Sequence, residues 1–141
     1  MSTVIDAKDH VVGRLSSIVA QRLLLGEKID IINAEKAIVI GKGDVVVERW
    51  LRRINLTRKG NPEFGPKFPK MPDKILKNAI AGMVPKKTAR GKKALKRVRV
   101  FIGTPEGIDL SKVETIRIAK YNGKEAAITL EELCKRLGAK W

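Results

Sequence analysis

Residues 3–33, TVIDAKDHVVGRLSSIVAQRLLLGEKIDIIN, decide the fold class. Thr3-Val4-Ile5 reads as a short strand that stops at Asp6. From Gly13 to Leu25 the apolar positions Leu15, Ile18, Val19 and Leu23 recur three and four apart, which is one face of a helix. Gly26 follows as a C-terminal cap, because glycine enters the left-handed conformation without a Cβ penalty. Ile29 to Asn33 is a second strand. Strand, helix and strand in so short a span form the repeating unit of an α/β domain.

The same alternation continues outward. Ala37 to Ile40 reads as a third strand. It and Ile29–Asn33 are near-continuous apolar runs, which predicts burial on both faces, as in a parallel sheet. Gly41-Lys42-Gly43 is a turn. Asp44 is expected to cap a helix to about Asn55, with Val46 or Val47, Trp50, Leu51 and Ile54 facing inward. Residues 58–72 break the pattern: Gly60, Pro62, Gly65, Pro66, Pro69 and Pro72 read as a long functional loop.

Helical spacing returns at Asp73–Gly82, with Ile75, Leu76, Ala79 and Ile80 inward, and Pro85 ends it. Thr88–Arg97 reads as a second, strongly basic helix, although Gly91 inside it costs about 1 kcal/mol relative to Ala. Val98–Ile102 is a fourth strand and Glu114–Ala119 a short fifth. Thr129 and Glu132 have capping-box spacing, opening a helix that runs through Leu137 to Gly138.

At 141 residues the chain fits one domain spanning 1–141. With 43% apolar and 32% charged residues it is globular. One cysteine, Cys134, excludes an internal disulfide framework and fits a reducing cytosol. No leader pattern opens the chain, and no apolar run of about 18 residues offers a membrane span.

The net charge of +15 is unevenly placed. Residues 49–99 hold 17 Lys and Arg against Glu63 and Asp73, so this stretch alone nets +15, while the flanks are near neutral. So dense a charge repels itself unless a polyanion lies against it, and a phosphate backbone is the natural partner. Three groups make up the patch. Lys86, Arg90, Lys93 and Arg97 are spaced 4, 3 and 4, one stripe of a helix, widened by Lys87, Lys92, Lys96 and Arg99. Ala94, Leu95 and Val98 anchor the opposite side. Arg49, Arg52, Arg53, Arg58 and Lys59 end the preceding helix, where some of them merely offset its dipole. Lys67 and Lys70 flank Phe68 near Phe64 in the loop, where the rings either stack on bases or tuck the loop onto the domain.

A DNA reader would show a helix-turn-helix, a zinc site or a basic zipper. None is visible, so the mix of loop and helix favours RNA. Reversing Arg90, Lys93 and Arg97 to Glu is expected to abolish RNA binding with the fold intact. The loop at 58–72 is expected to be mobile until RNA orders it.

Catalytic chemistry is thin. The only histidine, His10, reads as an exposed turn residue with no partner for a metal or a nucleophile. Cys134 reads as a small buried apolar side chain. Gly41-Lys42-Gly43 lacks the third glycine of a dinucleotide fingerprint and the ending of a P-loop, so it reads as a structural turn. Gly13-Arg14 at the head of the first helix is either a plain helix start or an anion site. A nucleotide-using enzyme and a non-specific DNA-coating protein remain as alternatives.

The ordered series Ile5-Asp6-Ala7, Gly13-Arg14-Leu15-Ser16-Ser17, Leu24-Leu25-Gly26 and Ile32-Asn33-Ala34-Glu35 resembles the large-subunit ribosomal protein L13 family. The likeness continues through Asn61-Pro62-Glu63-Phe64-Gly65-Pro66, Gly82-Met83-Val84-Pro85-Lys86-Lys87, Arg90-Gly91 and Ala94-Leu95-Lys96-Arg97-Val98, covering roughly 3–105. The resemblance implies a three-layer α/β/α domain with a central four-stranded, mainly parallel sheet. It also implies a structural role without catalysis, cofactor, metal or small-molecule substrate. The partners implied are large-subunit rRNA and neighbouring ribosomal proteins, on the ribosome in the cytoplasm.

Its RNA-facing surface would fall on Gly13-Arg14 and, within a basic region at 49–99, on the Asn61–Pro72 loop and on Lys86 through Arg97. Residues 106–141 depart from the bacterial form and look like an archaeal-type C-terminal extension.

Overall fold

The computed structural model describes residues 2–56, 60–61 and 68–141. In chain order the elements are β1 (Ser2–Asp6), α1 (Val12–Leu24), β2 (Lys28–Ile32), β3 (Ile38–Ile40), α2 (Gly43–Ile54) and α3 (Pro72–Gly82). They continue with α4 (Ala89–Lys96), β4 (Val98–Val100), β5 (Val113–Glu114), β6 (Ala127–Thr129) and α5 (Leu130–Arg136). Four strands form a parallel sheet in the order β4-β2-β1-β5, consistent with a three-layer α/β/α arrangement.

The register explains the core. Ile5, Ile31 and Val100 lie abreast, while Val4, Asp30 and Arg99 form the adjacent row. Because side chains alternate across a strand, the first row joins Ile29 and Val98 on the apolar face. There Ile5, Ile29 and Ile31 are fully buried with Leu15, Val19 and Leu23 of α1 and Leu76 and Ile80 of α3. The strand ends are tied by polar bonds. Glu35 Oε2 accepts the Gly103 N–H at 2.8 Å, and Asn33 Nδ2 donates to Asp6 Oδ1 at 3.1 Å.

The four-strand sheet agrees with the expected architecture, but β3 does not join it. Ile38–Ile40 pairs antiparallel with β6, a strand that periodicity had not revealed. Only residues 33–37 separate β2 from β3, too few for the crossover that parallel neighbours need. Val39 and Ile40 are accordingly only half-buried.

Four local expectations also change. Asp44 is not the cap of α2: the helix begins at Gly43 after Lys42, and the Asp44 carboxylate accepts from Arg136 Nη2 at 2.6 Å. Leu51 is exposed on α2, whereas Val46 and Val47 are buried and Trp50 and Ile54 pack partly against the core. The strand expected over 114–119 shrinks to Val113–Glu114, followed by a short 3-10 turn at Arg117–Ala119. Pro72, read as part of the loop, opens α3, where its missing N–H costs nothing. Cys134 is a buried free thiol, as expected.

His10 is fully buried, not exposed. Its Nδ1 lies 2.7 Å from the Lys8 carbonyl, and its Nε2 accepts the Ile116 N–H at 3.0 Å. The ring is a structural link between the start of the chain and its last third.

Candidate nucleic-acid interface

The basic helix exists, and its geometry follows from two residues. Thr88 caps α4, its Oγ1 accepting the Gly91 N–H at 3.1 Å and donating to the Pro85 carbonyl at 2.9 Å. Gly91 faces the preceding turn so closely that a Cβ there would lie 1.9 Å from the Pro85 oxygen. Ala94 and Val98 are buried and Leu95 partly so, which fixes α4 to the core and turns Lys92, Lys93 and Lys96 to solvent.

The stripe is shorter than its sequence spacing implied. Lys86 and Lys87 are exposed in the turn before α4, and Arg97 is its C-cap. Two of its arginines bond to the protein itself. Arg90 Nη2 donates to the Leu24 carbonyl at 3.3 Å, and half-buried Arg97 Nη1 donates to the Leu23 carbonyl at 3.0 Å. Those oxygens belong to the last turn of α1, whose carbonyls lack intrahelical partners and carry the negative end of its dipole.

The other groups are placed as follows. Arg52 reaches Glu48 at 2.6 Å, one turn away on α2, with both side chains largely exposed. The Arg53 guanidinium lies 5.7 Å from the centre of the Trp50 ring, a cation–π geometry. Lys70 is exposed just before α3, and Phe68 is half-buried. Arg58, Lys59, Phe64 and Lys67 lie outside the described residues, as does much of the loop expected at 58–72.

Gly13 and Arg14 are exposed at the head of α1, which has neither a side-chain cap nor an acid in its first turn. Gly13 borders a cleft of about 340 Å³ shared with Trp50 and Arg53 of α2 and Asn78 of α3. Sequence spacing gave no hint that these elements converge. The Gly41 turn is tightly built by comparison. Gly41 has φ +139°, a Cβ there would meet Val46 at 2.9 Å, and its N–H donates to the Ala126 carbonyl at 2.7 Å.

Arg99 is the residue whose surroundings the sequence hid. Its Nε and Nη2 donate to the two carboxylate oxygens of Asp30, each at 2.9 Å, and this bidentate bond raises the guanidinium above its ordinary value. Asp30 and Arg99 are register partners on adjacent strands, a pairing only the sheet topology reveals. Of the segment's cations, only Arg52 and Arg99 reach a carboxylate among the described residues. Among those residues there is also no cluster of His, Cys, Asp or Glu able to hold a metal, and no helix long and apolar enough to cross a membrane.

The sequence model of the family described as Ribosomal protein L13 matches residues 1–107. The chain is 44% identical over 140 residues to the large ribosomal subunit protein uL13 of Methanopyrus kandleri, covering 96% of this chain and 86% of the relative. The uL13 protein of Archaeoglobus fulgidus is 42% identical, with 96% and 87% covered. That of Methanocaldococcus jannaschii is 41% identical, with 99% of each chain covered. These three archaeal relatives extend the likeness through the C-terminal third, beyond the family match. On this likeness, with the parallel sheet and the ordered motifs, the chain belongs to the ribosomal protein L13 family.

Proposed function

We propose that this protein is a structural constituent of the large ribosomal subunit, and that its basic middle binds large-subunit rRNA. One observation carries this: of the cations in 49–99, only Arg52 and Arg99 reach a carboxylate among the described residues. Exposed Lys70, Lys86, Lys87, Lys92, Lys93 and Lys96 have no ion-pair partner among the described residues. Cations that the fold leaves unpaired are available to phosphates, and phosphate contacts set position rather than base preference. Arg14, Arg52 and Arg53 extend the surface across the cleft between α1 and α2. Arg90 and Arg97 act partly by holding α4 on α1.

The role is one of binding and support of subunit assembly, with neighbouring ribosomal proteins as further partners on the cytoplasmic ribosome. No catalysis, cofactor or small substrate is part of it. The turn that suggested a nucleotide enzyme packs closely on Val46 and commits its Gly41 N–H to the Ala126 carbonyl, which weighs against that alternative. The whole chain forms one domain, with residues 106–141 an archaeal-type extension held by the β1–β5 and β3–β6 pairings, by α5 in the core and by the His10 link.

Co-sedimentation tests the proposal. The protein is expected to stay with large subunits through a high-salt wash and to bind protein-free large-subunit rRNA in preference to duplex DNA. Loss in the wash together with equal affinity for both nucleic acids would refute it.

A further inference from the structure

The edge strand β4 and its neighbour β2 carry a charged strip that continues the α4 group onto the face of the sheet. Lys28 and Asp30 alternate onto one face of β2, and Arg99 lies beside Asp30 on β4. Lys28, Asp30, Lys96, Arg97 and Arg99 line a cleft of about 480 Å³. Four cations therefore surround one carboxylate, and that carboxylate is already occupied by Arg99. Arg99 also borders a second cleft of about 360 Å³, with Phe101, Lys74 and Lys77. Its guanidinium lies 5.6 Å from the centre of the Phe101 ring. The two clefts thus meet at Arg99, whose position is fixed from both sides. The other acid present, Asp73, sits in the first turn of α3, where it offsets the helix dipole. Lys28, Lys74 and Lys77 are exposed.

Cations on either side of a half-exposed aromatic ring are what a single nucleic-acid strand needs: charge for consecutive phosphates and a flat face for an unstacked base. A duplex would leave the ring without a base to stack on. We infer that the β4 edge is a track for one single-stranded segment of RNA. Phosphates lie in the cleft of Lys28, Lys96 and Arg99, a base stacks on Phe101, and the strand leaves past Lys74 and Lys77. Asp30 presets Arg99 for this contact, so the guanidinium is ordered before RNA arrives. The inference rests on the rRNA binding proposed above and extends its contact surface from α4 onto the sheet and α3.

The test uses the full chain and protein-free large-subunit rRNA at fixed salt. Lys28→Glu/Lys74→Glu/Lys77→Glu changes only exposed side chains. It is expected to lower affinity by on the order of tenfold or more, since affinity tracks the number of phosphates neutralised. Ultraviolet cross-linking is expected to join RNA to the peptide containing Phe101, and Phe101→Leu, which keeps apolar bulk without a ring, is expected to abolish that adduct. Circular dichroism confirms that each variant is folded. If the wild type binds rRNA, Lys92→Glu/Lys93→Glu weakens it and the edge variants bind and cross-link normally, this inference alone falls. If the wild type does not bind rRNA, both proposals fall.

Discussion

The Ile116 N–H donates to His10 Nε2 across 106 residues of sequence, at 3.0 Å, inside the protein. The other ring nitrogen faces the Lys8 carbonyl, so the two partners together place the ring proton on Nδ1. The backbone reinforces the link: Val11 N–H donates to the Ala119 carbonyl at 2.8 Å, and Tyr121 N–H to that of Asp9 at 2.8 Å. Together these bonds tie the 116–121 segment to the start of the chain, alongside the β1–β5 and β3–β6 pairings that also hold the C-terminal third.

His10→Ala should loosen the 116–121 segment. It leaves a buried N–H unpaired and opens a cavity, at a cost of about 2–3 kcal/mol. Urea unfolding should show the loss, and hydrogen exchange should show it concentrated at Ile116. Uniform acceleration across the chain, or none, would count against the link.

Gly91→Ala sets two effects against each other. Helix propensity favours alanine by about 1 kcal/mol. Against it, the new Cβ would lie 1.9 Å from the Pro85 oxygen, a backbone atom that cannot step aside without moving the turn. The clash wins, so the variant should be destabilised by about 2 kcal/mol or more, the range of overpacking changes. A thermal melt equal to or above that of the wild type would show that the turn yields.

These two residues mark where the sequence stopped being legible. Strand and helix positions follow from apolar spacing, so β1, α1, β2, α3 and α4 could be read within a residue or two. Thr129 was readable as a cap because capping is local: its Oγ1 accepts the Glu132 N–H at 3.3 Å. Long-range pairing is not local. Nothing near Ile38 says that its partner is Thr129, nothing near His10 points to Ile116, and nothing near Arg99 points to Asp30. Gly91 looked like a cost because its neighbour in space, Pro85, lies outside the helix it weakens.

Cys134 gives the chain a specific alkaline sensitivity. Burial, with the charge of Asp73 added, pushes its thiol from 9.0 up to about 12. The folded chain keeps a proton that the unfolded chain releases. This contribution is complete below pH 9 and is lost as pH rises from 9 to 12. Stability should fall there by up to about 1.4 kcal/mol per pH unit from this group. Cys134→Ala should remove that part of the slope. At pH 8 a thiol reagent should spare the native protein and label the urea-unfolded one. Equal labelling rates would show that the thiol is not shielded.

Charge reversal on α4 must separate binding from folding. The combination Arg90, Lys93 and Arg97, chosen from spacing alone, does not, because Arg90 and Arg97 hold the carbonyl end of α1. A glutamate at either place would set a carboxylate against those oxygens and unseat the helix. Lys92, Lys93 and Lys96 are exposed and bond to nothing else among the described residues. Lys92→Glu/Lys93→Glu/Lys96→Glu should therefore keep the wild-type melting temperature within a few degrees while rRNA affinity collapses. The log–log dependence of binding on salt should flatten by about 2–3 units if each lysine neutralises one phosphate. An unchanged slope in a folded variant would mean that the solvent face of α4 does not touch the RNA.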